Sequence, residues 1–133
     1  MQDIKFRAWH EENKKMYAVA KIDMWGDPDQ ATCDLVNWED EQLFDIYISE
    51  VKFMQYTGLK DKNGVEIYEG DIVENTTQTV YLGHKFEVTW NENYAVYQLI
   101  NNGLGSNIPL MQDFMSYEVI GNIYEDKHLL EDE

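Results

Sequence analysis

Along this chain apolar and polar side chains alternate with a period of two far more often than they recur at helical spacing. Ile4, Phe6 and Ala8 alternate with Lys5, Arg7 and Trp9, which predicts a strand with two unlike faces. Residues 16–22 read as a second short strand after the turn Glu11-Glu12-Asn13-Lys14. Residues 24–37, with Gly26-Asp27-Pro28-Asp29, read as loop. Residues 38–44 predict a helical turn capped by Asn37, with acids in its first turn. Ile46, Tyr47, Ile48, Val51, Phe53 and Tyr56 restore strand character. The segment Thr57-Gly58-Leu59-Lys60-Asp61-Lys62-Asn63-Gly64 is then built for tight turning, with Asp61 placed to accept from the backbone two residues on. Strand resumes at Val65, Ile67 and Tyr68, breaks at Gly70, and restarts at Asp71-Ile72-Val73. Further strands are expected over 79–90, interrupted at Gly83-His84, over 94–100 after the turn Asn91-Glu92-Asn93, and over 117–124. A Gly-rich loop is expected over 101–107, a short helix over 108–115 and a terminal turn over 126–130.

Many short strands with Gly/Asn turns predict a mainly β fold. The expectation is a small SH3-like β-barrel at about residues 65–126, elaborated by N-terminal strands and a short helical turn. Glu69-Gly70-Asp71-Ile72-Val73 resembles the opening of many such barrels, an analogy of fold that carries no function. The 133 residues fit one domain: N-terminal strands and a turn segment over 1–64, barrel-like strands over 65–126, and an acidic tail over 127–133.

A 44% hydrophobic and 14% aromatic composition excludes a disordered chain in spite of the charge. The formal net charge of −16 argues against direct nucleic-acid binding, or anionic membrane binding, through a broad basic face. The acidity is uneven: residues 1–33 are nearly neutral, and the rest carry almost all of it. Cys33 is the one cysteine, so an internal disulfide is impossible. The opening residues have no apolar h-region and no run of eighteen apolar residues occurs, so a cytoplasmic location is expected.

Three stretches carry a resemblance. They are Lys5-Phe6-Arg7-Ala8-Trp9 with Lys15-Met16-Tyr17; residues 54–64, continuing through Glu66-Ile67-Tyr68-Glu69-Gly70-Asp71-Ile72-Val73; and residues 117–125, followed by Leu129-Leu130. In them the chain resembles the YopX family of phage and prophage proteins over nearly its whole length. The resemblance implies a β-rich, barrel-containing fold and a phage or prophage origin in a bacterial host. It supplies no catalytic residues, because the family has no established activity. Residues 23–50 match no motif of the family.

The sharpest catalytic pattern is Pro28-Asp29 with Glu50-Val51-Lys52, which imitates the nuclease arrangement in which Asp and Glu hold Mg²⁺ and Lys positions water. On a strand Glu50 and Lys52 would share one face, yet nothing in the sequence brings Asp29 to them, and an exposed ion pair is the plainer reading. Asp61-Lys62-Asn63-Gly64 has its glycine too early for a Ca²⁺ loop and reads as a hairpin turn. Glu66, Glu69 and Asp71 form a carboxylate cluster that could take a cation, though solvated edges are commonly built this way. His10, His84 and His128 lack ligand spacing, and Gly103-Leu104-Gly105-Ser106 lacks the lysine of a phosphate cradle. Trp9, Trp25, Trp38 and Trp90 read mostly as core and interface anchors, with Trp9 beside Arg7 as a ligand-binding candidate; the modest basic cluster is Lys5, Arg7, Lys14, Lys15 and Lys21.

No cofactor or metal is expected. The leading expectation is a non-catalytic module that binds a protein partner or itself, with Arg7, Trp9, Tyr56, Asp61, Asn63, Glu69 and Asp71 as binding candidates. The alternatives are a DNA mimic that occupies a DNA-binding host protein, and a Mg-dependent nuclease or hydrolase using Asp29, Glu50 and Lys52, or the carboxylates Glu66, Glu69 and Asp71.

Overall fold

A computed structural model describes residues 4–24, 26, 28–77, 81–101, 103, 106–109 and 116–131. The protein is mainly β and divides into two compact units, the first ending at Gln55 and the second beginning at Tyr56. No described helix is long and apolar enough to cross a membrane.

In the first unit the strands are β1 (Phe6–His10), β2 (Lys15–Asp23), β3 (Thr32–Val36), β4 (Gln42–Tyr47) and the opening half of β5 (Val51–Lys60). Antiparallel ladders join them in the order β4-β3-β2-β1-β5. The core holds Ala8, Tyr17, Cys33, Leu35 and Val51, with Val19, Ile22, Leu43, Ile46 and Phe53 packed on it. Two bulges decide which residues reach that core. Val19 and Ile22 on β2, and Leu43 and Ile46 on β4, lie three apart and would point to opposite faces of an unbroken strand. On each strand one extra residue opposes Asp34 of β3, which turns both members of the pair inward. On β4 the bulge falls at Phe44 and Asp45; Asp45 adopts φ 55, and its amide donates to Asp34 Oδ1 at 3.0 Å.

In the second unit the closing half of β5 pairs with β6 (Glu66–Tyr68). A five-stranded antiparallel sheet follows, from β7 (Asp71–Asn75), β8 (Lys85–Asn91), β9 (Val96–Asn101), β10 (Ser106–Pro109) and β11 (Tyr117–Asn122), in the order β10-β9-β8-β7-β11. A single helical turn, α1 (His128–Glu131), comes last. The core is Ile67, Val73, Phe86, Val88, Leu99 and Tyr117, with Phe86 edge-on to Tyr117 at 6.0 Å. Gly70 has φ 87 and makes the bend from β6 into β7 that its place in the sequence suggested.

Four expectations are corrected. Among the described residues no ladder joins β10 to β11, so the strands over 65–126 form an open sheet rather than a closed SH3-like barrel. Residues 38–44 are not helical: a tight turn runs through 37–41, and Leu43 and Phe44 already belong to β4. The loop expected over 24–37 contains β3, and β10 begins inside the loop expected over 101–107. Short 3-10 turns occur at Pro28–Gln30 and Ile48–Glu50 instead. The helix expected over 108–115 falls mostly outside the described residues.

Candidate interaction surface

Asx side chains organise the turns. Asn37, Asp61, Asn75, Asn91, Asn101 and Asn122 each accept a backbone N–H two residues on through Oδ1. In the β3–β4 turn, Asn37 Oδ1 accepts from the amides of Glu39 at 3.0 Å and Glu41 at 2.9 Å. Asn37 and Glu41 also meet through the backbone, Asn37 N to Glu41 O at 3.1 Å. The Glu41 carboxylate then ties the turn to its neighbours. Its Oε1 accepts from Tyr17 Oη at 2.8 Å, Asn37 Nδ2 at 3.1 Å and Lys15 Nζ at 3.3 Å. Asn13 donates to Tyr17 Oη at 3.1 Å, and its backbone amide to His10 Nδ1 at 3.1 Å. The Tyr17 hydrogen bond, helped by Lys15 and Asn37, holds the Glu41 carboxyl below its ordinary value. Burial pushes the Tyr17 phenol up.

This pinned turn presents a large apolar side chain to solvent. Trp38 is 96% exposed, and along β4 Phe44 is 62% and Tyr47 54% exposed. Because Leu43 and Ile46 pack inward, Phe44 and Tyr47 stand on the outward face of the hairpin. Scattered single apolar residues are ordinary on a surface, but here three exposed aromatics follow one hairpin, Trp38 in its turn, Phe44 at the bulge and Tyr47 opposite Thr32 at the other end. Acids accompany them: Glu39, Asp40 and Asp45 are exposed.

The candidates named from sequence are placed elsewhere. Trp9 is 6% exposed, so its ring is packed rather than presented, and Arg7 Nε lies 3.4 Å from Met54 Sδ. Tyr56 is buried against Tyr68, with ring centroids 5.5 Å apart. Asp61 is 1% exposed and fully engaged, its Oδ1 accepting from Asn63 and Val65 amides and its Oδ2 from the Val119 amide at 2.9 Å. Asn63 reaches Glu118 at 3.3 Å. Asp71 is buried and accepts from the Tyr68 amide at 2.7 Å. Half-buried Glu69 acts on its neighbours: burial first, then the charge of Glu69, raises both the Glu87 carboxyl and the Tyr97 phenol.

Glu50 sits in the 3-10 turn that precedes β5, so the strand alternation expected to align it with Lys52 does not reach it. Asp29 lies in the other 3-10 turn, and all three side chains are exposed. Among the described residues no three His, Cys, Asp or Glu side chains form a group suited to a metal ion. Cys33 is buried, and its thiol is pushed up to about 11 by burial, with Asp34 and Glu50 adding to it; at neutral pH it is a protonated core side chain.

No curated protein matches the chain. Protein EF1440 from Enterococcus faecalis, known from a crystal structure, is 24% identical, with a TM-score of 0.54 over 98% of this chain and 99% of that one. Protein yopX from Bacillus subtilis, also known from a crystal structure, is 21% identical, with a TM-score of 0.62 over 98% and 97% of the two chains. Identities this low speak for the fold alone. The family described as YopX protein matches residues 5–131, nearly the whole sequence, and the chain therefore belongs to the YopX family.

Proposed function

We propose that this protein is a non-catalytic interaction module of phage or prophage origin, working in the bacterial cytoplasm and binding a protein partner through its β3–β4 hairpin. One observation carries the reading: Trp38, Phe44 and Tyr47 are exposed on a hairpin whose turn is held by Asn37 and Glu41. An aromatic side chain on a preorganised turn loses little freedom when it is covered, and such residues dominate binding energy at protein interfaces. The test is site-resolved. A photo-crosslinking amino acid at position 38 or 44 should trap a discrete partner in host cells, and the same group at Asn63 or Glu92 should trap far less. Equal yields at all four positions would contradict the reading.

A second reading has its own support. From residue 22 to residue 51 the sequence contains no Lys, Arg or His, so the hairpin is a wholly acidic stretch of the kind that could occupy the basic groove of a DNA-binding host protein. Competition between DNA and this protein for the trapped partner, steeply weakened by salt, separates this case from a partner that does not bind DNA. The nuclease reading gains no support from the placement of Asp29, Glu50 and Lys52.

A further inference from the structure

We infer that the segment docking on the β3–β4 hairpin is basic and apolar by turns, an extended stretch of a different protein in which Arg or Lys alternates with large apolar side chains, and not a second copy of this chain. The inference rests on the hairpin being the docking surface and names the chemistry of its partner. Residues 32–47 contain Asp34, Glu39, Asp40, Glu41 and Asp45, and no basic residue. Exposed Glu39 and Asp40 directly follow exposed Trp38, and exposed Asp45 directly follows exposed Phe44, so a ligand that covers the rings comes up against carboxylates. A basic partner neutralises them; a second copy would set the same acids against one another on a chain of net charge −16.

The backbone points the same way. Among the described residues β4 is the outermost strand of its ladder series, but the bulge at Phe44 and Asp45, with Asp45 at φ 55, interrupts the hydrogen-bonding row a further strand would need. The partner therefore lies across the outward side chains instead of extending the sheet. From Gln42 to Tyr47 the strand spans about 17 Å, room for an extended segment of five or six residues. An arginine suits the site better than lysine, because its flat guanidinium can lie on the Trp38 ring while it pairs with Glu39 or Asp40.

Calorimetric titration of the full chain with three capped peptides of about seven residues tests this. One alternates Arg and Leu, one Glu and Leu, one Arg and Ser. The Arg/Leu peptide should bind at least tenfold more tightly than either of the others. Trp38→Ala with Phe44→Ala leaves the net charge unchanged and should weaken it roughly tenfold or more. Glu39→Gln with Asp40→Asn should weaken it more than the same neutralisation at exposed Glu92 and Glu131 on the second unit. Urea unfolding midpoints of the variants, unchanged from wild type, confirm that they fold. Equal losses from the two neutralised pairs overturn the inference. So does Trp38-dependent binding of the Glu/Leu peptide, or concentration-dependent self-association that Trp38→Ala abolishes; either would leave the hairpin as a docking surface with a different occupant. Binding that ignores Trp38 in every arm overturns both readings together.

Discussion

Residues 37–41 and residues 61–65 are the same turn built twice. In each, the first side chain accepts two backbone amides through Oδ1, from positions two and four residues on: Glu39 and Glu41 for Asn37, Asn63 and Val65 for Asp61. In each the first and fifth residues also meet through the backbone, and the fourth has positive φ, 62 at Asp40 and 82 at Gly64. The difference lies in the second atom of the leading side chain. Asp61 has another carboxylate oxygen, which accepts from Val119 on β11, while the Lys62 amide donates to Tyr117 O at 3.2 Å, and the turn is fastened into its unit. Asn37 has an amide nitrogen, which turns back to Glu41, so the turn is held at its base and its tip stands in solvent. The second residue then decides what is shown to solvent: Lys62 lies near Glu118 at 4.0 Å, whereas Trp38 projects almost fully exposed. One local geometry serves as a rivet in the first case and as a mount in the second.

Removing each leading contact should expose that difference. The largest effect is expected from Asp61→Ala, which removes a buried carboxylate and strips the acceptor from the part-buried amides of Asn63, Val65 and Val119. Unfolding free energy measured in urea should fall by about 3–5 kcal/mol, and a loss below about 1 kcal/mol would mean the turn is not a rivet. Asp40→Gly should move the other way. Asp40 holds the left-handed backbone that Gly64 adopts without cost, so the substitution should stabilise the protein by up to about 1 kcal/mol in the same assay. The smallest effect concerns Glu41. Its carboxyl is held below the ordinary value in the folded state, chiefly by Tyr17, so its contribution is complete above the unfolded value of about 4.3 and disappears as pH falls through the lower folded value. Wild type should exceed Glu41→Gln slightly in urea midpoint at neutral pH, and the two should converge in acid. A constant gap across that window would place the interaction outside the ionised carboxylate.

Much of this was legible in the residues, and the failures have physical causes. The strand at Phe6–His10, the turn at 11–14, the bend at Gly70 and the Asp61 bond to the Asn63 amide all follow from local pattern. The Val119 contact was not readable, because it joins positions 58 apart and no local rule reports it. β3 was hidden: Cys33 and Leu35 do alternate, but both flanking strands carry a bulge opposite Asp34, and each bulge shifts the period-two pattern by one residue. At 38–44 the sequence Asn37-Trp38-Glu39-Asp40-Glu41 imitates a capped helix, since a helix N-terminus and this turn both ask for an Asx oxygen accepting nearby amides. Pairing with β3 decided the outcome. The burial of several sequence candidates has a related cause. The block over residues 54–73 is dense in turn chemistry, and three of the residues named from it, Tyr56, Asp61 and Asp71, are buried. Trp38 was named only as one aromatic among several, and no feature of sequence separates an exposed tryptophan from a packed one.

Backbone amide shifts recorded while the Arg/Leu peptide is added test the central claim most directly, since they show where the surface is covered without altering any residue. The account predicts that the perturbed amides cluster within residues 32–47, strongest at the 37–41 turn, and that residues 61–65 stay unperturbed. Perturbations centred on residues 54–71, with the β3–β4 hairpin unchanged, would contradict it.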